Sequence, residues 1–285
     1  MKMIYYKGLN CHLAGIVNIA ASLYSDYLNI FYNLWSETDF TDDTEYNLYT
    51  SKRVFENLRS FGFIIRKLKC TNERETKEVP QQIRLKELFL VGMDTFYIPW
   101  HPVYQHFHGP HYFYAQKSDM DRVSCFDPIY KAENIEMRYA DICFTAFELN
   151  QILKRPVIVP KIEITQEALQ VIQNHPKIQK NILSELENCK SEKQKDVTTL
   201  IKQVTAMINN RYLYKQFIRQ FLPVSAYANL FSKAYFARWE AVRNGLYKFS
   251  IVKNNESVAD EISVLFTALI QEELAMAESE CFKRT

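Results

Sequence analysis

Gly109-Pro110-His111-Tyr112-Phe113-Tyr114-Ala115-Gln116, followed after a polar connection by Val123-Ser124-Cys125-Phe126-Asp127-Pro128, is the stretch that decides the N-terminal fold. Both runs are aromatic-rich and of strand length. The six residues Lys117-Ser118-Asp119-Met120-Asp121-Arg122 between them are polar, so the pair reads as a hairpin or meander with a connection longer than the tightest turns. Pro128 cannot donate to a ladder and ends the second run. This reading puts His111 at the start of one strand and Asp127 at the end of the next.

Working outward, Leu88 to Ile98 is apolar enough for a buried strand ending at Pro99, and Phe63 to Leu68 is a further strand. Val54, Phe55, Leu58 and Phe61 outline a short helix closed by Gly62. Ile16, Ala20, Leu23, Tyr27, Ile30 and Leu34 step by four and three, which predicts one helix of about six turns with Cys11 at its beginning. Ser36 to Thr50 and Thr71 to Glu78 read as loops. After Val157-Ile158-Val159-Pro160 the pattern becomes helical: Thr165 to Asn188, Ser191 to Leu222, Ser225 to Tyr247 and Ser257 to Glu280, separated by Pro223 and the Asn254-Asn255 turn. Thr165 and Ser257 are the expected N-caps, the latter with Asp260 three residues on. The expectation is an α+β domain over residues 1–160 and an all-helical domain over 161–285, with no internal repeat.

The composition is that of a globular protein: 47% of the 285 residues are hydrophobic and 14% aromatic, ample for packed cores. Thirty-five Lys and Arg against thirty-three Asp and Glu leave no polyanion footprint, which argues against nucleic acid as a partner. The six cysteines, at 11, 70, 125, 143, 189 and 281, form no C-x-x-C pair and are scattered too widely for a zinc knuckle or a disulfide scaffold, as expected in a reducing cytoplasm. Leu13 to Tyr24 resembles a signal peptide superficially, but Asn18 and Ser22 interrupt it and no cleavage site follows, so the mature chain is expected to start at or near Met1. No run approaches the ~20 apolar residues of a membrane span.

A cysteine opening a long helix, a histidine starting a later strand and an Asp or Asn ending the next strand is the order used by papain-like cysteine enzymes, and here those residues are Cys11, His111 and Asp127. A helix start favours thiolate through its free N–H groups and dipole, and a neighbouring imidazole completes an ion pair. His111 would carry the proton and Asp127 would fix the ring's tautomer. The competing reading is that Cys11 is inert packing, since cysteine is among the most buried residue types.

Three segments carry a family resemblance: Val91-Gly92-Met93-Asp94-Thr95-Phe96-Tyr97-Ile98-Pro99-Trp100, His106-Phe107-His108-Gly109-Pro110-His111-Tyr112-Phe113, and Asp127-Pro128. Together with Cys11 and its helix, about residues 5 to 155 resemble the N-terminal domain of the butirosin biosynthesis protein H family, which has a papain-like cysteine fold. The resemblance implies a cysteine acyltransferase of specialised-metabolite (antibiotic) biosynthesis. Such an enzyme takes an acyl group from an acyl-carrier-protein or similar thioester and gives it to a small-molecule amine, without a cofactor. Carried over by position, Cys11 becomes acylated, His111 deprotonates the amine and Asp127 orients His111. A thioesterase or peptidase-like hydrolase on the same residues, and a non-catalytic binding module, are the alternatives. Papain-like peptidases place a glutamine before the nucleophile as oxyanion donor. No Gln lies upstream of Cys11 here, leaving the Cys11 N–H and Asn10 as candidate donors. Substitutions are expected to rank Cys11→Ala most severe, His111→Ala next and Asp127→Asn least.

His101, His106, His108 and His111 fall within eleven residues, yet their spacing matches no metal motif, so a histidine-rich pocket rim is expected and no metal. His106 or His108 would contact substrate or lie exposed on a loop, and Asp94 would meet a cationic amine or cap a turn. Arg211, Lys215 and Arg219 would line one helix face, either solvated or docking an acidic carrier protein. Tyr227, Phe231, Tyr235, Phe236 and Trp239 form an aromatic stripe expected in a bundle core. Nucleotide-binding and serine-hydrolase motifs are absent.

Overall fold

A computed structural model describes residues 2–39, 52–68, 83–191, 197–223, 226, 230–252 and 255–283. It is an α+β structure with two compact units: Met1–Tyr27 with Leu58–Val159, and Leu28–Asn57 with Pro160–Thr285. The expected Thr71–Glu78 loop, most of the Ser36–Thr50 loop, residues 192–196, Ser225, Tyr227 and Asn254 lie outside the described residues.

The first unit is built on six antiparallel strands: β1 (Phe63–Leu68), β2 (Leu88–Asp94), β3 (Pro110–Lys117), β4 (Arg122–Asp127), β5 (Ala132–Arg138) and β6 (Ala146–Lys154), in the order β1-β6-β2-β3-β4-β5. Strand alternation gives the sheet two apolar faces. Phe89, Val91 and Met93 of β2 pack with Tyr139, Ile142 and Cys143 of a short helix, α3 (Tyr139–Thr145). Leu90, between them, turns to the opposite face and meets helix α1 (Cys11–Leu23). The approach there is close, because a Cβ on Gly15 would stand 2.3 Å from Leu90 Cδ1. Helix α1 is buried over His12 to Ala20, so its sequence carries little amphipathic contrast. The buried Asn18 accepts the Ile4 N–H at 2.8 Å and donates to Ala14 O and Ile4 O, clamping the N-terminal segment beside the helix.

The six-turn helix expected from the apolar stripe does not form: α1 ends at Leu23, Tyr24 is extended, and a separate 3-10 turn spans Tyr27–Phe31. The stripe persists across the break because Ile30 and Leu34 are buried too, in the second unit. The short helix α2 (Arg53–Ser60) stops as expected at Gly62, where φ is +80° and a Cβ would stand 2.4 Å from Arg155 O. Strand β2 is shorter than expected because Asp94 caps a 3-10 turn over Thr95–Tyr97.

The second unit contains α4 (Ile164–Ser191), α5 (Thr198–Ile218), α6 (Lys233–Ile251), α7 (Glu256–Ala277) and α8 (Glu280–Lys283). Helix α7 packs on α4 and α6, and α6 on α5. Phe231, Tyr235, Phe236 and Trp239 are buried, as a bundle core requires. The expected caps shift. Thr165 lies inside α4 and donates to Phe282 O, and Ser257 lies inside α7, whose N-cap is Asn255. The cationic stripe is not a surface. Arg211 is wholly buried and bonded through Nε and Nη2 to Glu273, which also accepts from His175, Tyr235 and Trp239. Lys215 donates to Phe231 O, leaving Arg219 alone exposed. Among the described residues no helix is long and apolar enough to cross a membrane.

Candidate active site

Strand pairing gathers three segments at one end of the first unit's sheet. The end of β2 meets the start of β3, with Met93 opposite His111 and Asp94 opposite Pro110, and β4 ends there at Asp127 after a register shift following Cys125. Cys11 opens α1, whose N-cap Asn10 accepts the Leu13 N–H at 2.8 Å through its side-chain oxygen. The first-turn N–H groups of a helix have no intrahelical acceptor, so positive potential collects around the Cys11 sulfur.

The structure brings Cys11, His111 and Asp127 together. His111 Nε2 lies 2.7 Å from Asp127 Oδ2, and the Cys11 thiol hydrogen-bonds His111. With Nε2 committed to the carboxylate, Nδ1 is the ring nitrogen that serves the thiol. Asp127 is fully buried and saturated with donors: Trp100 Nε1–H at 2.9 Å joins His111 on Oδ2, while the N–H groups of Ile129 and Tyr130 reach Oδ1 at 3.0 and 3.4 Å. Burial alone would raise this carboxyl, but the donors, His111 first, hold it below the usual carboxylate range. Burial also disfavours a charged His111. Its bonds to Asp127 and Cys11 and their charges outweigh that and lift the ring to about 9, so it carries a proton at neutral pH. Cys125 and Cys143 are buried where Cys11 is partly accessible, and burial pushes the Cys125 thiol up.

Three neighbours complete the site; Trp100 and Tyr130 carried no role in the sequence reading, and His101 entered it only as part of the expected histidine-rich pocket rim. Trp100 anchors Asp127 and packs edge-on against Phe113, with ring centroids 5.0 Å apart. His101 and Tyr130 stand against the His111 ring, with centroids 5.1 and 5.3 Å away. Tyr130 follows the Asp127 turn, and its phenol is kept protonated by burial and by the charges of Asp127 and Cys11. Its only sequence signal was position just after the Asp-Pro pair.

The other expected substrate contacts are arranged differently. Asp94 takes its turn-capping role: Oδ1 accepts the N–H groups of Phe96 and Gly109, and Oδ2 pairs with His108 Nδ1 at 2.8 Å. Phe96 stacks on His108. Both Asp94 oxygens are thus committed to ordering the Thr95–Gly109 loop, which leaves little for a cationic amine. His106 is exposed. His12, next to Cys11, is no alternative base: burial drops it to about 4, and it packs edge-on against Tyr112. A cavity of about 700 Å³ lies at the far end of α1 from Cys11, lined by Ile19, Leu23, Lys86, Tyr114, Phe126 and Lys154, and it is separate from this site. Among the described residues no cluster of three or more His, Cys, Asp or Glu suits a metal ion.

The chain matches no protein-family model and no curated protein.

Proposed function

We propose that the chain is a papain-like cysteine acyltransferase that forms an acyl-Cys11 intermediate from a carrier-protein or similar thioester and passes the acyl group to a small-molecule amine. The observation that carries it is the continuous chain of hydrogen bonds from Cys11 through His111 to the buried Asp127, with the thiol at a helix N-terminus. The choice of thioester donor and amine acceptor rests on the family resemblance.

In the first half-reaction the Cys11 proton resides on His111 Nδ1 and the sulfur attacks the thioester carbonyl. The tetrahedral intermediate collapses by breaking the donor C–S bond, and the departing thiolate takes the His111 proton. In the second half the amine nitrogen attacks the acyl-Cys11 carbonyl, His111 accepts the amine proton, and the C–S bond to Cys11 breaks to regenerate the thiol. Asp127 holds the ring upright and stabilises imidazolium in both halves without itself taking the proton. The Cys11 N–H is one donor to the oxyanion. Transfer wins over hydrolysis only if the amine reaches the acyl group before water does.

Intact mass spectrometry after exposure to a panel of acyl-carrier and N-acetylcysteamine thioesters tests the proposal. A stable mass increase that maps to Cys11 and disappears on adding an amine supports transfer. Loss of the adduct in buffer alone means hydrolysis, and no adduct with any thioester refutes the acyl-enzyme.

A further inference from the structure

The cavity of about 700 Å³ at the far end of α1 is large enough for a small organic ligand. Helix α1 has thirteen residues and so spans about 20 Å, which separates whatever fills this cavity from a group held on the Cys11 sulfur. Its walls are mostly apolar, and one of them is aromatic. The rings of Tyr114 and Phe126 stack with centroids 5.1 Å apart and planes 8° from parallel. Tyr114 is almost wholly buried while Phe126 is partly exposed, so Phe126 is the open end of a stack that a further flat ring can extend. The charges in the wall are unbalanced. Strands β2 and β6 pair at Phe89 and Gln151, and their chains bring Lys86 and Lys154 to this end of the sheet. Among the described residues neither ammonium meets a carboxylate. Lys154 Nζ donates to Arg155 O at 3.0 Å and stands 5.0 Å from the centroid of the Tyr24 ring, contacts that hold the cation without neutralising it. Glu87, the acid in the same wall, has both oxygens engaged, one by Gln151 Nε2 and the other by the Arg84 N–H at 2.8 Å. Lys86 is moreover fixed in the left-handed region at φ +64°: its N–H donates to Lys117 O at 2.8 Å and its carbonyl accepts Gln116 Nε2 at 2.9 Å. A lysine gains nothing from that conformation by itself, and strain held in this way is a mark of ligand sites.

We propose that this cavity is a second binding site, for a small planar aromatic carboxylate whose ring extends the Tyr114 and Phe126 stack and whose charge is met by Lys86 and Lys154. The inference makes no use of the acyl-Cys11 reading, and either can fail alone.

Titration calorimetry of the full chain with 2-naphthoate and its neutral analogue 2-naphthamide tests the site. The two probes share a ring system and differ in charge. The expected result is one saturable site that takes 2-naphthoate about tenfold more tightly than 2-naphthamide, with that preference lost when Lys86→Met and Lys154→Met are combined. Ser22 is exposed in the last turn of α1 and lines the cavity, so Ser22→Trp should fill the space and block both probes. Equal affinity of the wild-type protein for the two probes overturns the assignment of an anion. No saturable binding of either overturns the site itself. Binding of 2-naphthoate that survives Ser22→Trp puts the ligand elsewhere and overturns the proposal as well. The first two results need the wild-type protein alone, so they stand even if a variant fails to fold.

Discussion

Replacing Asp127 by Asn keeps the side-chain shape and changes only the pattern of donors and acceptors. Every group that reaches the Asp127 carboxylate is a donor: His111 at 2.7 Å and Trp100 at 2.9 Å on one oxygen, Ile129 at 3.0 Å and Tyr130 at 3.4 Å on the other. An asparagine offers one acceptor oxygen and one NH2. If the NH2 faces the backbone, two N–H groups lose their acceptor. If it faces the rings, it opposes the indole N–H and forces His111 to accept at Nε2, which puts the imidazole proton on Nδ1, towards the thiol. The expectation that Asp127→Asn is the mildest of the three site substitutions therefore has to be revised. His111 stands at about 9 against an ordinary 6.5, a gap of about 2.5 pH units or on the order of 3 kcal/mol, and Asp127 supplies the first of the bonds that create it. Because the folded value is raised, the charged ring and the stability it confers are fully present below pH 6.5 and are lost as pH rises through about 9. In Asp127→Asn that loss moves down to about pH 6.5 or below. NMR titration of the His111 ring should follow it, and iodoacetamide alkylation of Cys11 at neutral pH should slow as the sulfur loses the positive charge beside it. A His111 midpoint that stays near 9, or an alkylation rate within about threefold of wild type, refutes the claim that Asp127 holds this ring charged.

Cys11→Ala should abolish every thioester adduct in intact mass, and an adduct that persists would move the chemistry to another residue. Glu273→Gln should strip the wholly buried Arg211 of its counter-charge and cost about 3–5 kcal/mol in chemical denaturation. Adding Arg211→Met should recover much of that loss, and strictly additive costs would contradict the pairing. Glu167 is fully buried near Tyr214 and the backbone of Asn33 and Trp35, and burial lifts its carboxyl from 4.5 to about 8. Its folded value is raised, so its contribution is complete below pH 4.5 and is lost progressively until pH reaches about 8, and Glu167→Gln should flatten the fall of the melting temperature between about pH 5 and 8. Gly92→Ala should destabilise the first unit by about 1–3 kcal/mol, because a Cβ there would stand 2.7 Å from ring atoms of both Tyr112 and Phe147. A melting temperature equal to wild type would show that those rings yield.

What the sequence made legible follows the range of the forces involved. Strands β3 and β4 announced themselves because aromatic residues between a Gly-Pro turn and an Asp-Pro stop are a local signal, and with them came His111 and Asp127 at adjacent strand ends. Strands β5 and β6 and the short helix α3 were not anticipated. Strand β5 is a largely exposed edge strand, Ala-Glu-Asn-Ile-Glu-Met-Arg, that needs no apolar face, and β6 buries Asn150 and Gln151, which erases the apolar alternation. The helix from Cys11 was overextended because apolar spacing records burial, not continuity: Ile30 and Leu34 keep the period in a different unit. The same limit governs charge. Arg211, Lys215 and Arg219 have the spacing of a helix face, but only the pairing of Arg211 with Glu273, sixty-two positions away, decides that this face is core. Around the site, the triad was readable because each member sits at an element terminus that local sequence can mark. Trp100, His101 and Tyr130 come from turns whose paths depend on Asp94 and Asp127 accepting particular backbone N–H groups. A turn path of that kind has no period, so the residues that tune His111 become visible only once the donors around each carboxylate are known.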